Sequence, residues 1–297
     1  KDIALPKLYD GTWTGTMNLT EPQAGSDVGM AKTRAEKVEG TDYYHITGSK
    51  MFITGGDQDM TENIVHLTLA RTPDAPAGVK GLSLFLVPKM RIDEQGKCLG
   101  RNDVVPIAIE HKLGIKGSST TQLSLGEGGE CRGWLVGKEQ EGIKIMFNMM
   151  NEARIEVGIQ GSSLTNAAYQ SALAYARERI QGSAIENFKD PNAPRVTIIE
   201  HPEVRRQLLT VKAFGEGLRS LLLYASYCED MAENAATPEE REQYHGFLEL
   251  LTPVCKAYST DRGVEMTSMA IQVLGGYGYT QDYPLEQYLR DVKIGCL

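Results

Sequence analysis

Eight consecutive residues, Thr20-Glu21-Pro22-Gln23-Ala24-Gly25-Ser26-Asp27, carry the strongest chemical signal in the chain. Pro22 stiffens the backbone, Gly25 lets a ligand approach its amide, and the hydroxyls of Thr20 and Ser26 can donate or accept. Such a loop suits a flat, polar ligand with carbonyls and ring nitrogens along its edge, as in an isoalloxazine; taken alone it equally describes a sharp turn between strands. Phe52-Ile53-Thr54 adds an aromatic face and a hydroxyl, and strand alternation places Phe52 and Thr54 on one side. Far downstream, Gln272-Val273-Leu274-Gly275-Gly276-Tyr277-Gly278-Tyr279 reads as a glycine-rich helix exit whose bare amides could meet a pyrophosphate, or as a plain helix cap with a tight turn. Its glycine spacing and its position after a helix exclude a Rossmann fingerprint. Arg177 and Arg179 lie near the end of a long helical pattern, where cations also favour the helix dipole.

The elements that must position these groups fall into two kinds. Short segments rich in β-branched and aromatic residues, at 43–47, 50–54, 64–70, 82–87, 104–109 and 122–125, are separated by Gly, Asp, Pro and Asn turns. They predict a small antiparallel β-barrel or sandwich over residues 1–138. From about Gly142 the apolar spacing becomes helical: Ile145, Met149, Ile155, Ile159, Leu164, Ala168, Ala172 and Tyr175 mark a helix over 143–181. A second is expected over 201–234 with Pro202 in its first turn, and a third from Pro238, with Thr237 as N-cap and Glu240 closing a capping box. A further helix or a continuation covers 260–274, and a short one 284–294. The predicted fold class is therefore α+β: a β-domain followed by a helical bundle over 139–297.

Composition narrows the function. Of 297 residues, 41% are hydrophobic and 24% charged, as in an ordinary globular protein, and the net charge of -8 argues against a nucleic-acid partner. The five cysteines (Cys98, Cys131, Cys228, Cys255, Cys296) are dispersed, without a CxxC pair, which points to reduced thiols in a cytoplasmic compartment and to no metal site. The five histidines are equally scattered and read as surface or core residues. No segment is apolar enough for a membrane span.

In order along the chain, TEPQAGSD, GSKMFITGG, HKLGIKGS, NEARIEVG and QVLGGYGYTQDYPLEQYLRD resemble the acyl-CoA dehydrogenase family over essentially the whole sequence, and look most like its larger members such as the methylthiopropionyl-CoA dehydrogenases. The resemblance implies FAD held between the β-domain and a C-terminal bundle, α,β-desaturation of an acyl-CoA thioester, an electron-transfer flavoprotein as acceptor, and a homodimer or homotetramer. By motif position it assigns Met17, Leu19, Thr20, Gly25 and Ser26 to the flavin and the start of the CoA channel, with Ser26 also meeting substrate. Phe52 stands where the family usually has Trp, and Thr54 where it has a flavin-binding Thr. Arg179, Gln272, Gly275 and Gly276 match contacts to the pyrophosphate and adenosine of a neighbouring subunit's FAD. Asn151 and Arg154 match substrate positions near the CoA nucleotide.

Desaturation needs a carboxylate to take the α-proton. The resemblance places that Glu just after Leu297, and the alternative position on the first long helix is Ala153, with Glu152 turned about 100° away. No catalytic base is therefore assigned, and the chain is expected to be a piece with little activity of its own. Acyl-CoA oxidase, using oxygen, and a non-catalytic scaffold are the competing expectations.

Overall fold

The computed structural model describes residues 2–297, which form two compact units: residues up to 149 without 113–115, and residues 113–115 with 150–297. In the first, a short helix α1 (Ala4–Tyr9) precedes ten strands: β1 (Trp13–Asn18), β2 (Arg34–Lys37), β3 (Tyr44–Thr54), β4 (Asn63–Arg71), β5 (Leu82–Pro88), β6 (Met90–Ile92), β7 (Cys98–Arg101), β8 (Val104–Ile109), β9 (Thr120–Leu125) and β10 (Arg132–Val136). The main sheet runs β1-β4-β5-β10-β3-β9-β8, with β2 lying between β3 and β4. A single register pair, Arg34 with Arg71, joins β2 to β4, so the sheet folds over on itself as a sandwich and does not close into a barrel. Ile46, Ile53, Phe85, Val87, Leu123 and Leu125 fill the space within it.

The expected antiparallel pairing holds through most of the sheet, but β1 runs parallel to β4, from Trp13 opposite Asn63 to Asn18 opposite Thr68. β1 escapes a hydrophobicity reading because two of its three buried side chains, Thr16 and Asn18, are polar. The two segments expected at 43–47 and 50–54 are one strand, β3, and it carries a bulge. Lys50 pairs with Leu123 and Ile53 with Thr121, so three steps on β3 match two on β9.

The second unit holds most of α2 (Gly142–Glu178), a small ribbon of β11 (Ile180–Ser183) and β12 (Arg195–Thr197), and the helices α3 (Pro202–Asn234), α4 (Pro238–Leu274) and α5 (Leu285–Val292). The predicted capping box at the start of α4 is present: Glu240 N–H donates to the Thr237 hydroxyl at 3.2 Å, and Thr237 N–H to the Glu240 carboxylate at 3.2 Å. α4 runs unbroken through Pro253 to Leu274, one helix where a break was allowed for. Glycines bring α2 and α4 together. A Cβ on Gly158 would lie 2.7 Å from the Cys255 carbonyl oxygen, and one on Gly161 2.8 Å from that of Ser259. Small residues Ala168, Ala172 and Ala176 continue the seam against Ala270, Val273 and Leu274. Among the described residues no helix is long and apolar enough to cross a membrane.

Candidate functional site

In the first unit the loop after β1 is built round a charge that the sequence reading overlooked. Glu21 is 3% exposed and Lys50, on β3, is 0% exposed; Lys50 Nζ donates to Glu21 Oε1 at 2.8 Å and to the Leu19 carbonyl at 3.1 Å. The other Glu21 oxygen accepts from Gln23 Nε2 and Lys32 N–H, each at 2.7 Å, while Thr33 donates from its hydroxyl at 2.6 Å and its N–H at 3.1 Å. Burial pushes the Glu21 carboxyl up, but the Lys50 ammonium and these donors outweigh it and hold the pKa at about 2. Met51 N–H donates to the Thr20 carbonyl at 2.9 Å, a backbone tie between loop and strand. Between these anchors Gly25 and Ser26 are exposed, with open space where a Gly25 Cβ would stand. Met17 is exposed, and Leu19 and Thr20 are half-buried.

Phe52 sits inside the bulge with φ of 60°, a backbone region that bulky residues seldom occupy. In an unbulged strand Phe52 would share the inward face of Lys50. The extra residue turns Ile53 inward instead and leaves Phe52 58% exposed and Thr54 exposed. Alternation was expected to put Phe52 and Thr54 on one side; both are exposed, but the register between Lys50 and Ile53 is bulged and not simply alternating. Strain of this kind, about 1–3 kcal/mol, persists where the surroundings enforce it and is concentrated at ligand sites.

Beside the loop, a fully buried histidine also titrates abnormally. Thr16 gives its hydroxyl proton to Asn18 Oδ1 at 2.9 Å, so the 2.7 Å contact between Thr16 Oγ1 and His66 Nδ1 has His66 as donor. Burial, helped by the Lys89 charge and only partly opposed by Asp57, brings His66 down to about 4. Its folded pKa lies below the ordinary 6.5, so the unfolded chain takes up the proton first as pH falls, and stability is lost from 6.5 through about 4. Glu21, lowered from 4.5 to about 2, contributes fully above 4.5 and loses its share below that. Urea midpoints measured from pH 7 downward should therefore fall in two successive steps, and His66→Gln should remove the first.

The second unit contains a cavity of about 580 Å³ at the converging ends of α2, α3 and α4. It gathers Arg179, Gln272, Gly275 and Gly276, residues separated by more than ninety positions in the chain and assigned together by the sequence motifs. Gly275 ends α4 with φ of 60°, and neither it nor Gly276 has an atom within 4 Å of a would-be Cβ, so bare backbone forms this wall. The Arg179 guanidinium lies 5.8 Å from the Tyr277 ring centre, and Tyr175, Tyr277 and Tyr283 pack mutually. His201 and Gln181, which the sequence reading did not single out, also line the cavity. His201 Nε2 donates to the Gln181 carbonyl at 2.7 Å, leaving Nδ1 as the ring's other polar atom. The only sequence hint was a histidine directly before the Pro that opens α3. A cation, aromatic rings and open backbone fit a diphosphate with an attached purine.

Asn151 and Arg154 lie one turn apart on α2, and Arg154 Nη1 donates to Asn151 Oδ1 at 3.2 Å. Neighbouring Glu152 acts on α3: burial and the charges of Glu152, Glu233 and Asp230 raise the Glu229 carboxyl. Residues 113–115 of the HKLGIKGS motif are held by α5, where Asp291 accepts the Ile115 N–H at 2.6 Å and Arg290 Nη1 donates to the Leu113 carbonyl at 2.9 Å.

The fold is that of one class of flavoenzyme: the chain is a member of the acyl-CoA dehydrogenase family. The family descriptions "Acyl-CoA dehydrogenase, middle domain" and "Acyl-CoA dehydrogenase, C-terminal domain" match residues 16–127 and 140–296. Among curated relatives, butyryl-CoA dehydrogenase of Syntrophomonas wolfei is 44% identical over 100% of this chain and 49% of its own length. The 3-methylmercaptopropionyl-CoA dehydrogenase of Ruegeria pomeroyi is 45% identical over 99% and 49%. The solved butyryl-CoA dehydrogenase of Megasphaera elsdenii superposes with a TM-score of 0.76 at 25% identity, over 98% of this chain and 66% of that one. The chain thus spans about half the length of these curated relatives.

Proposed function

We propose that the protein is an FAD-dependent dehydrogenase that desaturates an acyl-CoA thioester between its α and β carbons. The observation that carries this reading is the cavity uniting Arg179 with Gln272, Gly275 and Gly276, because motif position had assigned these four to one diphosphate-bearing cofactor. FAD, when bound, supplies the two-electron acceptor for the desaturation. Arg179 neutralises its diphosphate, Tyr175 and Tyr277 offer faces to the adenine, and Gly275 and Gly276 let the backbone approach. Across a homodimer or a dimer of dimers, this pocket serves the neighbouring subunit's cofactor. In the first unit, Met17, Leu19, Thr20, Gly25 and Thr54 border the ring and Phe52 provides its aromatic wall. Ser26 faces the pantetheine side of the substrate, and Asn151 and Arg154 receive the CoA nucleotide.

No side chain of this chain is assigned to the α-proton, since Ala153 has no acceptor and the exposed Glu152 stands about 100° round the helix from it. The acceptor of the electrons is an electron-transfer flavoprotein. The unpaired state of all five cysteines is in keeping with a cytoplasmic setting. Anaerobic addition of a saturated acyl-CoA to the flavin-loaded full-length protein should bleach the visible flavin band, and an added dye should restore it. A band unmoved by every chain length would overturn the reading, and peroxide released during turnover in air would move it to an oxidase.

A further inference from the structure

We infer that the buried Glu21–Lys50 pair is the positioning device of the flavin ring site: it fixes the loop carrying Thr20, Gly25 and Ser26 against the bulged end of β3 that presents Phe52 and Thr54. The inference rests on the ring-site reading above.

A buried ion pair contributes little net stability for its desolvation cost, so its presence asks for another explanation. Here the geometry supplies one. A single carboxylate binds the loop at three places, Gln23 near its tip and Lys32 and Thr33 at its exit, and the lysine ties both that carboxylate and the Leu19 carbonyl at the loop's entry to β3. Every segment flanking the exposed Gly25–Ser26 tip is thus referred to one point on the strand. The point is two residues before Phe52. Lys50 is also the last residue in register before the bulge, so the pair anchors the strand at the point from which the extra residue leaves Phe52 turned out. Gly48 completes the arrangement from the other side: a Cβ there would stand 2.8 Å from the Thr33 Cα, so only glycine lets the loop exit lie flat on β3. An apolar pair could hold the loop down, but it would not fix the spacing between loop donors and strand to hydrogen-bond tolerance.

The test separates positioning from stability. In the purified holoenzyme, the double variant Glu21→Gln/Lys50→Met removes both charges at once, and its melting temperature and FAD dissociation constant are measured together with the fine structure of the visible flavin band. The expected result is thermal stability near wild type with FAD affinity lowered about tenfold or more and a featureless, solvent-like band. Thr33→Val, which keeps shape and deletes one Glu21 donor, should show the same loss in milder form and covers the case in which the double variant does not fold. Wild-type affinity and band shape in the double variant, or in Thr33→Val should that be the only folded variant, would overturn the inference alone. A wild-type protein that takes up no FAD would overturn the ring-site reading and the inference with it.

Discussion

Lys50→Met, with Glu21 left in place, is expected to lower stability by about 3–5 kcal/mol, because it strands a buried carboxylate without its counter-charge. The remaining donors, the Gln23 amide, the Lys32 backbone N–H and the Thr33 hydroxyl, soften the loss but are uncharged groups. The variant has a distinctive pH dependence. Without the ammonium, burial dominates and the Glu21 carboxyl titrates above its ordinary 4.5, so the penalty grows as pH rises and shrinks in acid. Denaturant midpoints of wild type and Lys50→Met at pH 5 and pH 8 should therefore diverge with pH. Equal gaps at both values would mean that Glu21 finds another partner.

Phe52→Gly should move stability and cofactor affinity in opposite directions. Glycine adopts φ of 60° without strain, so the folded state gains part of the 1–3 kcal/mol stored at this residue, roughly, while the more flexible unfolded chain takes back about 0.5–1 kcal/mol. Little burial is lost, since the ring is 58% exposed. The net expectation is a protein at least as stable as wild type, by about 1 kcal/mol, with FAD affinity lowered about tenfold through loss of the aromatic wall. Phe52→Ala isolates the two effects: it removes the ring but keeps the strained backbone, so affinity falls with no gain in stability. A destabilised Phe52→Gly would show that the ring packs for structure and not for a ligand.

The parts of the site legible in the sequence were those in which residue type alone carries the chemistry. Thr20, Gly25 and Ser26 announce an exposed, donor-rich turn, and Gly275 announces a helix end with open backbone; both are present. Thr237 and Glu240 gave the start of α4 because a capping box is local. What stayed hidden depends on partners distant in sequence. Glu21 and Lys50 are twenty-nine positions apart, and each alone reads as a solvated surface charge. The bulge at Phe52 has no signature in Lys-Met-Phe-Ile-Thr, since it arises from the register with β9. β1 was missed because its interior is lined with Thr16 and Asn18, and its parallel pairing with β4 follows no hairpin signal. Whether 260–274 continued the helix from Pro238 was open in the sequence; packing against α2 and α3 carries α4 through Pro253 as one helix.

The central claim, that this chain offers one site for an isoalloxazine and another for the adenosine diphosphate of a neighbouring subunit's FAD, is tested most directly by titrating the purified protein with FAD and, separately, with FMN, which lacks the adenosine. FAD bound in a one-to-one ratio, with FMN weaker by about a hundredfold or more, is the predicted result. Equal binding of the two, or none of either, would contradict it.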